Sequence, residues 1–179
     1  MIINQSAFFV VKMLLFFKKV DLINDKIIQF FKYVASFLLV FVGLLIFADV
    51  LLRGAFNKPL IGVPEIIANL VVIIAFFQFA YAVSIESMLR SDFTIEKAGP
   101  KLRKFLDLLS CFLGLIFFIL LAKSSYSSMV KSFISSEFEG HASFRFPTLP
   151  LKGTIFLFSC LTAFTYLLLI ISKIFNLKK

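Results

Sequence analysis

The 179-residue sequence has little that could support catalysis: it contains no tryptophan, one histidine and two cysteines. One histidine, lying outside the apolar blocks, cannot supply the two axial ligands of a haem b held between membrane helices. Cys111 and Cys160 fall in different apolar blocks, about 9 Å apart in depth, whereas a disulfide needs Cα atoms within about 7 Å. We therefore expect no enzyme, no cofactor and no metal site.

Charge is also scarce. Charged residues make up 16% of the chain and apolar residues 60%, with a mean hydropathy of +1.00, against about 25% and 45–50% in soluble domains. A chain of this size cannot bury so much apolar surface in a single water-soluble core. The net charge of +9 lies in short basic runs between apolar blocks, which indicates membrane topology rather than nucleic-acid binding.

The apolar residues form four blocks that are each long enough to cross a bilayer. About 20 mainly apolar residues are needed to span roughly 30 Å of hydrocarbon. The sequence therefore predicts an all-α membrane protein with four transmembrane helices and a four-helix transmembrane domain over 34–179. The predicted spans are about 34–52, 65–83, 105–122 and 154–171. No internal repeat is visible, so nothing favours an inverted-repeat transporter.

The basic residues predict the orientation. Thirteen Lys and Arg precede span one, lie between spans two and three, or follow span four, and six lie on the other side. Because basic residues accumulate on the cytoplasmic side, both termini are predicted to be cytoplasmic. Tyr33, Tyr81 and Tyr126 fall near predicted span ends, where amphipathic rings are common.

Residues 1–33 are predicted to be an amphipathic interfacial segment on the cytoplasmic face. The apolar run from Ala7 to Phe17 is too short to span, and its lysines follow it, unlike those of a signal peptide. Farther along, a polar stripe at helical spacing faces an apolar stripe. The polar stripe comprises Asp21, Asp25, Gln29 and Lys32, and the apolar stripe Leu22, Ile23, Ile27 and Phe30. The apolar stripe could contact either lipid or a partner protein.

Asp49 is the one acid well inside a span. An intramembrane charge is a functional hypothesis by default. Arg53 lies four residues later, on the same helical face, so the two can form a local ion pair. The other interpretation is a contact between Asp49 and another subunit.

Six further residues mark the predicted hairpin of spans one and two and the contacts of the bundle. Pro64 suits the first helical position of span two, and Glu65 suits the positive end of its dipole; alternatively, Glu65 pairs with Arg53 across the turn. Gln78 can hydrogen-bond to a neighbouring helix. Gly114 would allow close helix approach, as would Gly43, and Tyr166 is predicted to make a helix–helix contact.

These features, in this order, resemble the small integral-membrane subunit of tripartite ATP-independent periplasmic (TRAP) transporters. The resemblance rests on Arg53 ending span one, the proline-containing turn and Glu65 opening span two. It continues through 76–82, Leu89-Arg-Ser-Asp92-Phe and 100–105, and covers about Ile27 to Ile171. Gln78 stands where the family usually has glycine, and Met88 where it usually has histidine.

The resemblance implies a subunit of a bacterial inner-membrane transporter with three parts. A periplasmic binding protein captures an organic acid, such as a C4-dicarboxylate or sialic acid, and a large multi-span permease moves it with a sodium gradient. The small subunit scaffolds the permease, so Asp49, Arg53, Pro64, Glu65, Gln78 and Asp92 are expected to be structural or interface residues. The outer segment 123–150 is a candidate contact for the periplasmic protein. The alternative is a stand-alone homo-oligomeric four-helix channel or small exporter that uses Asp49.

Overall fold

The part of the chain that the structure describes forms four long helices and a short two-stranded ribbon. The computed structural model describes residues 2–57, 60, 62–85, 100–135, 138–139 and 146–174. The elements are α1 (Ile2–Phe56), α2 (Val63–Ser84), α3 (Pro100–Ser135), β1 (Phe138–Glu139), β2 (Phe146–Pro147) and α4 (Leu149–Ile174). Each of the four helices is long and apolar enough to cross a membrane, and each contains one predicted span. The prediction of an all-α membrane protein with four transmembrane helices is confirmed.

Helix α1 is a single uninterrupted helix of 55 residues. The sequence has no proline or glycine between Ile2 and Val42, so no residue in that stretch removes a backbone donor or carries the high helix cost of glycine. The N-terminal segment and span one therefore share one helix. At 1.5 Å per residue it is about 82 Å long, far more than the thickness of the hydrocarbon core.

The turn between α1 and α2 is shaped by two residues with left-handed backbone conformations. Asn57 has φ 52°, directly after α1, and Gly62 has φ 86°, directly before α2. Glycine adopts this conformation at no steric cost, and asparagine is among the residues that tolerate it best. The Gly62 carbonyl accepts a hydrogen bond from the Ile66 N–H at 3.1 Å, which starts the ladder of α2.

The core is an aromatic junction where α1, α2 and α4 meet. Phe31, Phe77 and Phe158 contact one another with ring centroids 4.3 to 5.0 Å apart. From α1, the buried residues Ile28, Ala35 and Val42 add to this core. Their spacing of seven residues keeps one narrow face of α1 against the bundle. Most of the remaining described surface of α1 is apolar and exposed.

Helix α4 buries a row of hydroxyl groups. Ser159, Thr162 and Thr165 are almost fully buried, and each hydroxyl donates to the backbone carbonyl four residues earlier, at 2.6 to 2.9 Å. This pattern satisfies a hydroxyl in a place where water is absent. The row is therefore compatible with membrane burial without a partner chain.

Helices α3 and α4 form a second hairpin, joined by a segment that includes the antiparallel pair β1–β2. Helix α3 continues beyond its predicted span to Ser135. The predicted contact of Tyr166 is confirmed, because its ring packs against Phe118 and lies over Gly114. A Cβ atom at Gly114 would lie 2.5 Å from Tyr166 Cζ, whereas one at Gly43 would meet no atom within 4 Å. Close approach therefore occurs at Gly114 alone of these two glycines.

Candidate functional site

The Asp49 carboxylate connects α1 to the turn between α1 and α2 by a hydrogen bond. Its Oδ2 accepts a hydrogen bond from Arg53 Nη2 at 2.7 Å, and its Oδ1 accepts one from the Leu60 backbone N–H at 3.0 Å. Asp49 is 8% exposed, whereas the Arg53 side chain is 61% exposed. The local pair anticipated from the four-residue spacing is present in the structure.

The bond to Leu60 gives Asp49 a second task that the sequence does not reveal. One carboxylate oxygen is paired with the Arg53 guanidinium, which balances the negative charge, and the other accepts a hydrogen bond from a backbone N–H in the turn. A backbone N–H without a partner in an apolar setting costs several kcal/mol in a membrane, on the order of 2–7. The carboxylate therefore links the last turns of α1 to the segment that leads into α2.

Pro64 and Glu65 lie in the first turn of α2. Because the helix begins at Val63, Pro64 is its second residue rather than its first, and a missing N–H is harmless at either position. Glu65 follows at the third position, where the helix dipole favours an acid, and its backbone carbonyl accepts a hydrogen bond from the Asn69 amide at 2.8 Å. The ion pair of Arg53 is with Asp49 rather than with Glu65.

Gln78 lies in the C-terminal half of α2, at the edge of the packed face. Its side chain is half-buried, and the described part of the chain offers it no hydrogen bond. Ala75 and Ala82 flank it on the same helical face at spacings of three and four residues, and both are half-buried. The amide atoms of Gln78 are not buried within the bundle, so in a membrane they face either hydrocarbon, where they would lack a partner, or another helix. The site suits close approach by another helix.

Asp92 falls outside the described residues, so its role stays a prediction. Of the six residues singled out from the sequence, the structure brings Asp49 and Arg53 into contact and places Pro64 and Glu65 in the turn of α2 that follows. Gln78 is separate from this group, lying 13 residues beyond Glu65 along α2.

Two polar contacts between helices were missed by the sequence reasoning. The Asn24 amide donates to Thr165 Oγ1 at 3.1 Å, with both residues buried, and the Lys32 ammonium donates to Tyr81 Oη at 3.2 Å. The members of these pairs lie 141 and 49 residues apart. No local spacing in a single sequence could reveal them.

The described residues contain no cluster of three or more His, Cys, Asp or Glu side chains able to hold a metal ion. Cys111 is buried and Cys160 is exposed, and neither forms a disulfide. The polar groups described above connect helices or hold the turn between α1 and α2.

Residues 22–176 match the family described as tripartite ATP-independent periplasmic transporters, DctQ component. The matched range takes in all of α2, α3 and α4 and α1 from Leu22 onward. No curated protein matches the chain significantly.

Proposed function

The chain belongs to the DctQ component family of tripartite ATP-independent periplasmic transporters, and from this premise we propose that it scaffolds the large permease subunit of such a transporter. The uptake proposed is sodium-driven and dependent on a binding protein. The cargo proposed is an organic acid, either a C4-dicarboxylate or a compound similar to sialic acid. Substrate and sodium would then be recognised by the other two proteins.

The observation that carries the scaffold role is the half-buried Gln78 amide, which has no partner among the described residues. Leaving an amide unpaired in an apolar medium costs about 2–7 kcal/mol depending on the reference state. A hydrogen bond across a helix interface removes much of that cost. The neighbouring Ala75 and Ala82 leave room for a second helix to come close.

The engagement of Asp49 supports a structural rather than an ion-coupling role. A carboxylate that carries protons or sodium must release its partners in each cycle. Both oxygens of Asp49 are held, one by Arg53 and one by the Leu60 N–H. The alternative of a homo-oligomeric channel or exporter would require this acid to open.

We place both termini in the cytoplasm of a bacterial cell, with the chain in the inner membrane. The asymmetric distribution of basic residues supports this orientation. The segment 123–150 then faces the periplasm, where the substrate-binding protein would dock transiently. Lipid would cover whatever apolar surface the large subunit leaves open.

Co-purification of Gln78→Leu with the large permease subunit tests this proposal. Leucine keeps the size and apolar packing but removes the amide, so we expect recovery of the large subunit in mild detergent to fall about three- to tenfold, corresponding to about 1 kcal/mol. Gln29→Leu, at an exposed position of α1, is the matched control and should leave recovery unchanged.

Unchanged recovery with Gln78→Leu would remove the support that this residue gives to the scaffold role. A homo-oligomer of the wild-type chain that conducts or transports alone in liposomes would contradict the role itself and favour the channel or exporter.

A further inference from the structure

A lysine and two tyrosines form a polar cluster at one end of the α1–α2 hairpin, away from the turn. The Lys32 ammonium is 3.2 Å from Tyr81 Oη, 4.4 Å from the centroid of the Tyr81 ring and 5.2 Å from that of the Tyr33 ring. Lys32 and Tyr81 are half-buried, whereas Tyr33 is 67% exposed. The cation is held between two aromatic rings on the surface of the bundle.

The cluster has unused hydrogen-bond donors, and no described residue supplies an acceptor for them. An ammonium has three N–H donors, and Lys32 uses one of them for Tyr81 Oη. That oxygen accepts from lysine, so its own proton is free to point elsewhere. Within the residues that the structure describes, no carboxylate pairs with Lys32 and no acceptor receives the Tyr81 hydroxyl proton. A positive group with unused donors is matched by an anionic oxygen group.

The place of the cluster indicates where that anion comes from. Lys32 lies two residues before the predicted start of span one, and Tyr81 lies three residues before the last residue of α2. Beyond Tyr33, an exposed apolar stripe runs along α1 toward the turn through Phe37, Phe41 and Leu44. A polar cluster at the membrane boundary, continued by an apolar stripe into the hydrocarbon, fits a molecule with an anionic head and an acyl chain.

We propose that Lys32, Tyr33 and Tyr81 bind the phosphodiester group of an anionic phospholipid. The Lys32 ammonium supplies the charge and its remaining N–H donors, and the Tyr81 hydroxyl supplies one more donor. One acyl chain lies along the Phe37, Phe41 and Leu44 stripe. Basic pockets between helices at the membrane boundary bind anionic head groups by this chemistry.

The last turn of α2 offers a competing explanation for the lysine. The carbonyl groups at a helix C-terminus carry a partial negative charge, which attracts a nearby cation whether or not lipid is bound. That interaction contributes to the stability of the protein in any lipid, whereas a head-group site responds only to anionic lipid. The two are therefore separated by the lipid that is offered.

Native mass spectrometry of the full chain, purified with its co-purifying subunits, measures this difference. The probes are phosphatidylglycerol and phosphatidylcholine in equal amounts, and inorganic phosphate alone. We expect the wild type to retain phosphatidylglycerol preferentially and Lys32→Gln to retain about fivefold less, the order of affinity that one basic residue gives near an anionic surface. Tyr81→Phe should lose about twofold, and Lys32→Arg should keep most of the binding.

Lys26→Gln is the matched control, because Lys26 is an exposed lysine of the same helix. It should retain phosphatidylglycerol as the wild type does, and the melting temperature of every variant in phosphatidylcholine reports whether folding is intact. Equal retention by Lys32→Gln and the wild type would overturn the proposal. So would an equal loss with Lys26→Gln, or displacement of the lipid by millimolar inorganic phosphate, which would indicate a free-anion site.

Discussion

The Asp49 carboxylate is a single residue that serves two local needs. A charged side chain in an apolar helix costs about 3 kcal/mol on insertion scales, and the ion pair with Arg53 offsets part of this cost. The hydrogen bond from the Leu60 N–H then makes the same carboxylate a fastening for the turn. A carboxylate can make both contacts because its two oxygens accept hydrogen bonds from different parts of the chain.

Replacing Asp49 separates these two contributions. Asp49→Asn keeps an acceptor for the Leu60 N–H and loses the ion pair with the largely exposed Arg53, so we expect a loss of less than about 1 kcal/mol. Asp49→Ala removes both contacts and leaves the N–H unsatisfied, with an expected cost of about 1–3 kcal/mol. Melting temperatures of the two purified variants check this order.

Transport measurements on Asp49→Asn extend the comparison. A structural aspartate should leave uptake by the assembled transporter intact. Loss of uptake with assembly preserved would instead assign the carboxylate to ion coupling, and equal destabilisation by both substitutions would show that the charge matters more than the acceptor.

At the scale of helices, α1 shows what a sequence pattern can and cannot reveal. The apolar stripe of Leu22, Ile23, Ile27 and Phe30 is exposed in this chain, so it stays available to lipid or a partner. A different face of α1 packs against the bundle, and its residues are Asn24, Ile28, Phe31 and Ala35. Hydrophobic periodicity cannot choose between two apolar faces of one helix, because that choice depends on what packs alongside.

The local features could be predicted because they depend on neighbours in the chain. Continuous apolar blocks gave the four helices, and the four-residue spacing gave the Asp49–Arg53 pair. The Asn24–Thr165 and Lys32–Tyr81 contacts depend on which helices are adjacent and at what height. The Leu60 bond depends on the path of the turn, and a backbone donor has no signature in the sequence.

The contact between α3 and α4 at Gly114 gives a prediction at this scale. Gly114→Ala places a methyl group 2.5 Å from Tyr166 Cζ, so the ring must move against Phe118. We expect destabilisation of about 1–3 kcal/mol. Gly43→Ala is the matched control: the site is open, and alanine favours helix by up to about 1 kcal/mol. Thermal unfolding of both variants in the same detergent measures the difference.

Combining Gly114→Ala with Tyr166→Leu should recover part of the loss, because the shorter side chain vacates the space over residue 114. If Gly114→Ala and Gly43→Ala behave alike, close approach at Gly114 does not contribute to stability.

For the whole molecule, the distribution of basic residues predicts which side each end occupies. Cysteine labelling in intact cells tests it with Lys19→Cys and Ser135→Cys, two exposed positions at opposite ends of the helices. A membrane-impermeant maleimide should label Ser135→Cys in intact cells and Lys19→Cys only after permeabilisation. The unsubstituted protein is the control, since Cys111 and Cys160 both lie within spans. The reverse pattern would invert the orientation.

The length of α1 has a mechanical consequence. One unbroken helix of about 82 Å connects the turn after Phe56 with Ile2. If the helix pivots at that turn, a change in tilt of about 5° displaces its far end by about 7 Å. Because the helix is unbroken, a small change of tilt at the turn therefore moves its N-terminal end by more than one helical turn.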